Sequence, residues 1–290
     1  MRYLDPKNDL TFKKVFGEHP HLLKSFLNAL LPLPQGEYIE SLEYLPTEMV
    51  PQIPLLKHSI VDVRCIDNKG RQFIVEMQML WTDSFKQRVM FNATKAYVRQ
   101  LDKAEKYELL QPVYALSLVN EIFEPNINEY YHHYRIVHTE YNDKQLEGLE
   151  FVFVELPKFK AQNLTEQKLQ VLWLRYLTEI KDGTVNIDEA LLQNPEIKEA
   201  LDYIQESAFT SAELESYDKY WDSIRSEKSL LQGAEDRGMA KGKAKGMAEG
   251  KIEGKIEVAR ELIKKGITLD IIIEVTGLSK LQIEKISIQE

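Results

Sequence analysis

The stretch IVDVRCIDNKGRQFIVEMQM, residues 60 to 79, alternates apolar and polar side chains on both sides of a short polar link. Strict alternation puts Val61, Val63 and Cys65 on one face of a strand and Ile60, Asp62, Arg64 and Ile66 on the other. In the following run Phe73, Val75, Met77 and Met79 share one face and Ile74, Glu76 and Gln78 the other. The link Asn68-Lys69-Gly70 fits a three-residue hairpin loop with glycine in the left-handed position. That loop sets Asp67 against Arg71. Counting back in register, Asp62 then faces Glu76. A slip of one residue would turn every side chain to the wrong face, so the register rests on Gly70.

Two carboxylates held that close repel unless a cation lies between them. Both are hard oxygen ligands, and a magnesium-type ion completed by waters and a substrate phosphate is their natural occupant. Gln78 lies two residues beyond Glu76 on the same face, where it can hydrogen-bond an attacking water or a phosphate oxygen. Metal there would lower the pKa of a bound water and stabilise charge developing on phosphorus. Taken alone, the pattern favours a solvated hairpin with ordinary polar residues outward.

The residues Asp62, then Glu76-Met77-Gln78 after a hairpin, resemble the core motif of the PD-(D/E)XK nuclease superfamily, with Gln78 where that motif ends in lysine. The opening LDPKNDLTFKKVFG, residues 4 to 17, resembles the start of the Rpn family of recombination-promoting nucleases, also described as PD-(D/E)XK transposases. Asp9, Phe12 and Lys13 match its opening acid and Phe-Lys pair. A long helix after the Glu-x-Gln strand, residues 85 to 101, and the glycine-rich helical tail are similar too. Each motif is weak alone; their order and spacing together are fairly specific.

The resemblance implies a PD-(D/E)XK restriction-endonuclease-like α/β core, a mixed sheet flanked by helices, followed by an all-α C-terminal extension. It implies a metal-dependent DNA endonuclease using Mg2+ or Mn2+. On it, Asp62 and Glu76 ligate the metal, the Met77 carbonyl is a third ligand, Gln78 orients the water, and Asp9 is the acid from the first helix. Candidate DNA contacts are Lys13 and, from the helix after the hairpin, Arg88, Tyr97 and Gln100. Lysine would bring a charge and Gln78 brings only dipoles, although Glu-x-Gln is usual in the Rpn branch. A weak or conditionally active enzyme is therefore open. So is a non-catalytic DNA- or protein-binding regulator on a decayed nuclease fold.

The chain has 290 residues and a net charge of −9, which argues against strong non-specific binding to nucleic acid. Residues 237 to 266 carry nine Lys or Arg against four Glu, net +5, leaving −14 on the remainder. The one cysteine, Cys65, excludes an internal disulfide and a cysteine-rich zinc site, and reads as a buried thiol. No signal peptide and no membrane-length apolar run are visible, so a cytoplasmic protein is expected.

Residues 9 to 31 read as one helix with Asp9 as N-cap, ended by Leu31-Pro32-Leu33-Pro34. SLEYLP, residues 41 to 46, reads as a strand. Residues 84 to 105 read as an amphipathic helix with Arg88, Lys95 and Arg99 along one flank. PVYALSLVN, residues 112 to 120, suits a strand buried on both faces, and strands are expected near 132 to 141 and 149 to 157, pairing with each other or with the core. His132, His133 and His138 are too spread on a strand to share an ion and read as ordinary exposed histidines. Helices are expected over 164 to 181, 195 to 207 and 211 to 228. The expected division is a nuclease-like core over 1 to 160, a helical extension over 161 to 232, and a C-terminal module over 233 to 290.

In the tail, Gly238, Gly242, Gly246, Gly250 and Gly254 recur every four residues. Each interior glycine costs a helix about 1 kcal/mol relative to alanine. Self-association of these helices into a homo-oligomer and a low-complexity, semi-helical linker are both open. Residues 256 to 286 read as a small helical unit resembling a helix-turn-helix, with Gly266 and Gly277 as stops. The run Glu235-Asp236-Arg237-Gly238-Met239 admits an internal ribosome-binding core before Met239. On the family resemblance, the tail made alone would be a short inhibitor that binds the full chain. Recombination of mobile DNA and defence against phage both fit such a nuclease.

Overall fold

The computed structural model describes residues 1–49, 59–101, 106–161 and 169–288. At the N-terminus Asn8, not Asp9, caps the first turn: its side chain accepts from the Leu10 N–H at 2.9 Å. Helix α1, Asp9–Phe12, runs into a π-helical turn, Lys13–Gly17, and a separate helix α2, Pro20–Leu30, follows. The expected single helix breaks before Pro20 for a local reason. Proline lacks an N–H and pushes the preceding residue out of the helical region, and His19 sits at φ −121°, ψ 88°.

The strands are β1, Leu42–Tyr44; β2, Glu48–Met49; β3, Ser59–Ile60; β4, Val63–Asp67; and β5, Gln72–Gln78. Helix α3, Phe85–Val98, leads to β6, Val113–Val119, and then to β7, Tyr131–Val137, and β8, Gln145–Glu155. Residues 102 to 105, the end of the helix expected over 84 to 105, lie outside the described residues. One mixed sheet has the order β1-β4-β5-β6-β8-β7. Its centre, β5-β6-β8, is parallel, and β1, β4 and β7 add antiparallel at the flanks. Strand β8 pairs with both β6 and β7, so the late strands join the core sheet and form a hairpin as well. Every residue of β6 is buried, as its unbroken apolar run requires.

The β4–β5 hairpin has the expected register. Val63 faces Val75, Cys65 faces Phe73, and Gly70 closes the loop at φ 82°. The expected alternation fails just before it. The chain bends at Asp62, β3 pairs with β2 instead of continuing β4, and Val61 turns to the opposite side of the sheet from Val63 and Cys65. On one face, Phe73, Val75 and Met77 pack with Phe16, Phe26 and the fully buried Trp173 and Tyr176. On the other, Ile74, Ala115 and Phe153 pack under Phe85, Val89, Ala93 and Ala96 of α3. The central strands are thus buried on both faces, between two helical layers.

Helices α4, Leu169–Glu179; α5, Glu189–Gln193; and α6, Pro195–Tyr203, complete the first face. The start of the helix expected from 164 lies outside the described residues. One histidine expectation is corrected. His132 is buried, its ring 2.7 Å from Glu155, because β7 closes over the end of β8 there. Lys158 and the Phe123 N–H also bond the Glu155 carboxylate, at 2.8 and 3.0 Å.

Helix α7, Ser211–Lys264, is 54 residues long and includes the glycine repeat. The chain divides inside it into two compact units, Met1–Ile224 and Arg225–Glu290. In the second unit Gly266 and Gly277 stop helices at φ 71° and 65°, and α8, Leu269–Thr276, and α9, Lys280–Ile288, follow. Ala259, Ile272, Leu278, Ile283 and Ile286 form its small core. Among the described residues no helix is long and apolar enough to cross a membrane.

Candidate active site

The bend at Asp62 aims its carboxylate at the head of β5. Oδ2 accepts the Met77 backbone N–H at 2.7 Å. A residue's N–H and C=O leave a strand on the same side, so the Met77 carbonyl points toward the same flank. Pairing of β4 begins only at Val63 opposite Val75, and Met77 lies beyond it. Burial pushes the Asp62 carboxyl up to about 6, with Glu76 and Asp9 adding repulsion, while the Met77 N–H and Lys13 pull the other way.

Glu76 is buried on the face covered by α3. Its carboxyl is likewise raised by burial, against the pull of Asn92 and Arg88. Asn92 Nδ2 donates to Glu76 Oε1 at 3.0 Å. Arg88 Nη2 lies 3.7 Å from Glu76 Oε2. Arg88 and Asn92 are one turn apart, so one helix face supplies both. Gln78 is held at both ends of its amide: Nε2 donates to the Leu80 carbonyl, and Oε1 accepts from Arg88 Nη2 at 2.5 Å. The Asn92 Oδ1 and the Oγ of Ser117, which pairs with Glu76 across β5 and β6, are buried with no hydrogen-bond partner among the described residues.

Asp9 and Lys13 join each other at 2.8 Å across one turn, close enough for both to act on the Asp62 charge. An open cleft beside Asp62 is lined by Lys13, Glu18, Tyr44, Thr47 and Arg64. Asp62, Glu76, Gln78, Met77, Asp9, Lys13 and Arg88 thus gather at one end of the sheet. Tyr97 and Gln100 do not. Tyr97 is nine residues further along, about 14 Å of helix, and its ring covers Gly148. Gln100 bonds the backbone of Gln111 with both ends of its amide, at 2.9 and 2.8 Å. Asn92 was not anticipated; its only sequence signal is its spacing of four from Arg88.

Among the described residues no group of three or more His, Cys, Asp or Glu side chains stands close enough to hold a metal. The donor set still fits a hard divalent cation. Magnesium takes one or two protein carboxylates and keeps waters for the rest of its shell. Glu76 is buried and Asp62 partly so, Glu76 adds repulsion to the Asp62 charge, and a backbone carbonyl flanks them.

A family model described as PD-(D/E)XK nuclease family transposase matches residues 6–234. No curated protein matches the chain, and no solved structure does.

Proposed function

The chain belongs to the PD-(D/E)XK nuclease family transposases, and from that premise we propose that it is a metal-dependent DNA endonuclease centred on Asp62 and Glu76. The observation that carries the proposal is the confinement of those two carboxylates, partly or fully buried and each raised in pKa, beside the Met77 carbonyl. Asp62, Glu76 and the Met77 carbonyl are the groups that would hold magnesium or manganese. When bound, the ion supplies an activated water and neutralises charge developing on phosphorus. In the hydrolysis the water oxygen bonds to phosphorus, one bridging sugar oxygen leaves, and that oxygen takes a proton. Asn92 holds the Glu76 carboxylate in one orientation. The Met77 N–H holds the Asp62 carboxylate in another. Lys13 lies near enough to attract the DNA backbone into the cleft beside Asp62.

The test is cleavage of a supercoiled plasmid in magnesium, manganese or EDTA by wild type, Asp62→Asn and Glu76→Gln. Both substitutions keep size and remove charge. Metal-dependent nicking is expected from wild type and from neither variant; nicking that survives both would sink the proposal. A second reading, a DNA- or protein-binding regulator without catalysis, draws on the engagement of Glu76 and Gln78 by neighbouring side chains. It predicts association that Asp62→Asn leaves unchanged and no cleavage by any form. Recombination and phage defence are uses that either reading admits.

A further inference from the structure

The motif at β5 ends in Gln78, a side chain without charge, yet hydrolysis of a phosphodiester builds negative charge that a nearby cation would stabilise. Among the described residues, Lys13 and Arg64 line the cleft beside Asp62, and Arg88 reaches Gln78 and Glu76. Lys13 is joined to Asp9 at 2.8 Å, and Arg64 is turned to Gln72, whose Oε1 it bonds at 2.8 Å. Arg88 differs. Its side chain hydrogen-bonds the neutral Gln78 amide at 2.5 Å and forms a longer ion pair with Glu76 at 3.7 Å, so its charge already stands beside the carboxylate of the site. Glu76 Oε1 is meanwhile taken by Asn92. The Arg88 guanidinium lies over the Phe85 ring, 4.8 Å from its centre, and its side chain is 47% exposed. A guanidinium is a planar fork with five donors. One Nη is anchored on Gln78, and among the described residues no other hydrogen bond occupies the fork.

Gln78 carries no charge of its own and is held at both ends of its amide. One lone pair of its oxygen is engaged by Arg88 and one of its N–H groups by the Leu80 carbonyl, which fixes the amide in one orientation. We propose that Arg88, delivered from α3, is the catalytic cation of this site, binding a non-bridging oxygen of the scissile phosphate, and that Gln78 is the positioning residue that aims it. The charge a terminal lysine of the strand motif would carry is thereby supplied from a different element. This rests on the nuclease reading above.

The experiment measures single-turnover cleavage at saturating DNA and magnesium, with DNA affinity measured separately, for Arg88→Ala, Arg88→Lys and the double variant Arg88→Ala/Gln78→Lys. Arg88→Ala should lower the saturated rate about 100-fold, with DNA affinity changed far less. Arg88→Lys should retain a part of the rate. Gln78→Lys in the Arg88→Ala background should recover at least about tenfold, because it returns a cation to the strand. A loss seen only as weaker DNA binding, with the saturated rate intact, would overturn the proposal and make Arg88 a docking contact. A folded double variant, checked by circular dichroism, that is no faster than Arg88→Ala would overturn it too. An active wild type with an undiminished Arg88→Ala defeats this assignment alone. Silence from wild type defeats the nuclease reading and this assignment together.

Discussion

At the scale of single residues, the site is a problem in electrostatics that the fold leaves open. Glu76 is buried and Asp62 partly so, burial raises both carboxyls, and Glu76 adds to the cost of the Asp62 charge. A divalent cation that binds the folded chain alone should therefore stabilise it, by about 2.7 kcal/mol at 100 times its dissociation constant. Thermal melts should show magnesium raising the Tm of wild type and leaving Asp62→Asn unmoved, with Asp62→Asn the more stable of the two in EDTA. Asn92 is the neutral group on which Glu76 depends. Asn92→Ala leaves a buried carboxylate short of a donor and should cost about 2 kcal/mol in denaturant titrations without metal. Cys65 is wholly buried and its thiol is pushed far up by that burial, with Asp67 adding to it. A thiol reagent at pH 8 should find no reactive group in the native protein and one after unfolding.

At the scale of elements, the β4–β5 hairpin and α3 jointly make the site. Gly70 sits at φ 82°, and a Cβ there would lie 2.9 Å from the Gln111 side chain. Gly70→Ala should cost about 1–2 kcal/mol from the left-handed backbone alone, read as a lower Tm. Cleavage should fall as well, because the turn sets Asp62 against the head of β5. This hairpin was legible because a period of two, a polar link and one glycine suffice to write it. The bend at Asp62 was not. Alternation carries Val61 to the wrong face, and nothing local announces that β3 leaves to pair with β2. The partnership of Arg88 and Asn92 with β5 was hidden for a related reason. Periodicity identifies which helix face is apolar, but it does not say which strand lies beneath a given turn. The same limit applies to His132, whose partner Glu155 is 23 residues away on the neighbouring strand.

At the scale of the molecule, the chain is two compact units, and the C-terminal one contains the glycine row of α7. Gly242, Gly246 and Gly250 have nothing within 4 Å of an added Cβ. Replacing all three by alanine should stabilise the helix by about 3 kcal/mol in propensity if that face stays bare, read as a higher helix melting temperature by circular dichroism. A lower melting temperature would instead mean that a partner helix packs closely against the glycines and is displaced by the added methyl groups.

Local sequence alone was enough for the hairpin and its register, the buried strand β6, and the glycine stops at Gly266 and Gly277. Each is written within a few neighbouring residues, by side-chain period or by the one residue that tolerates a positive φ. Tertiary structure alone decided the sheet order, the bend that turns Asp62 onto Met77, and the meeting of Arg88 and Asn92 with Glu76 and Gln78. Those contacts join separate elements, and their geometry exists only once α3 is packed across the sheet.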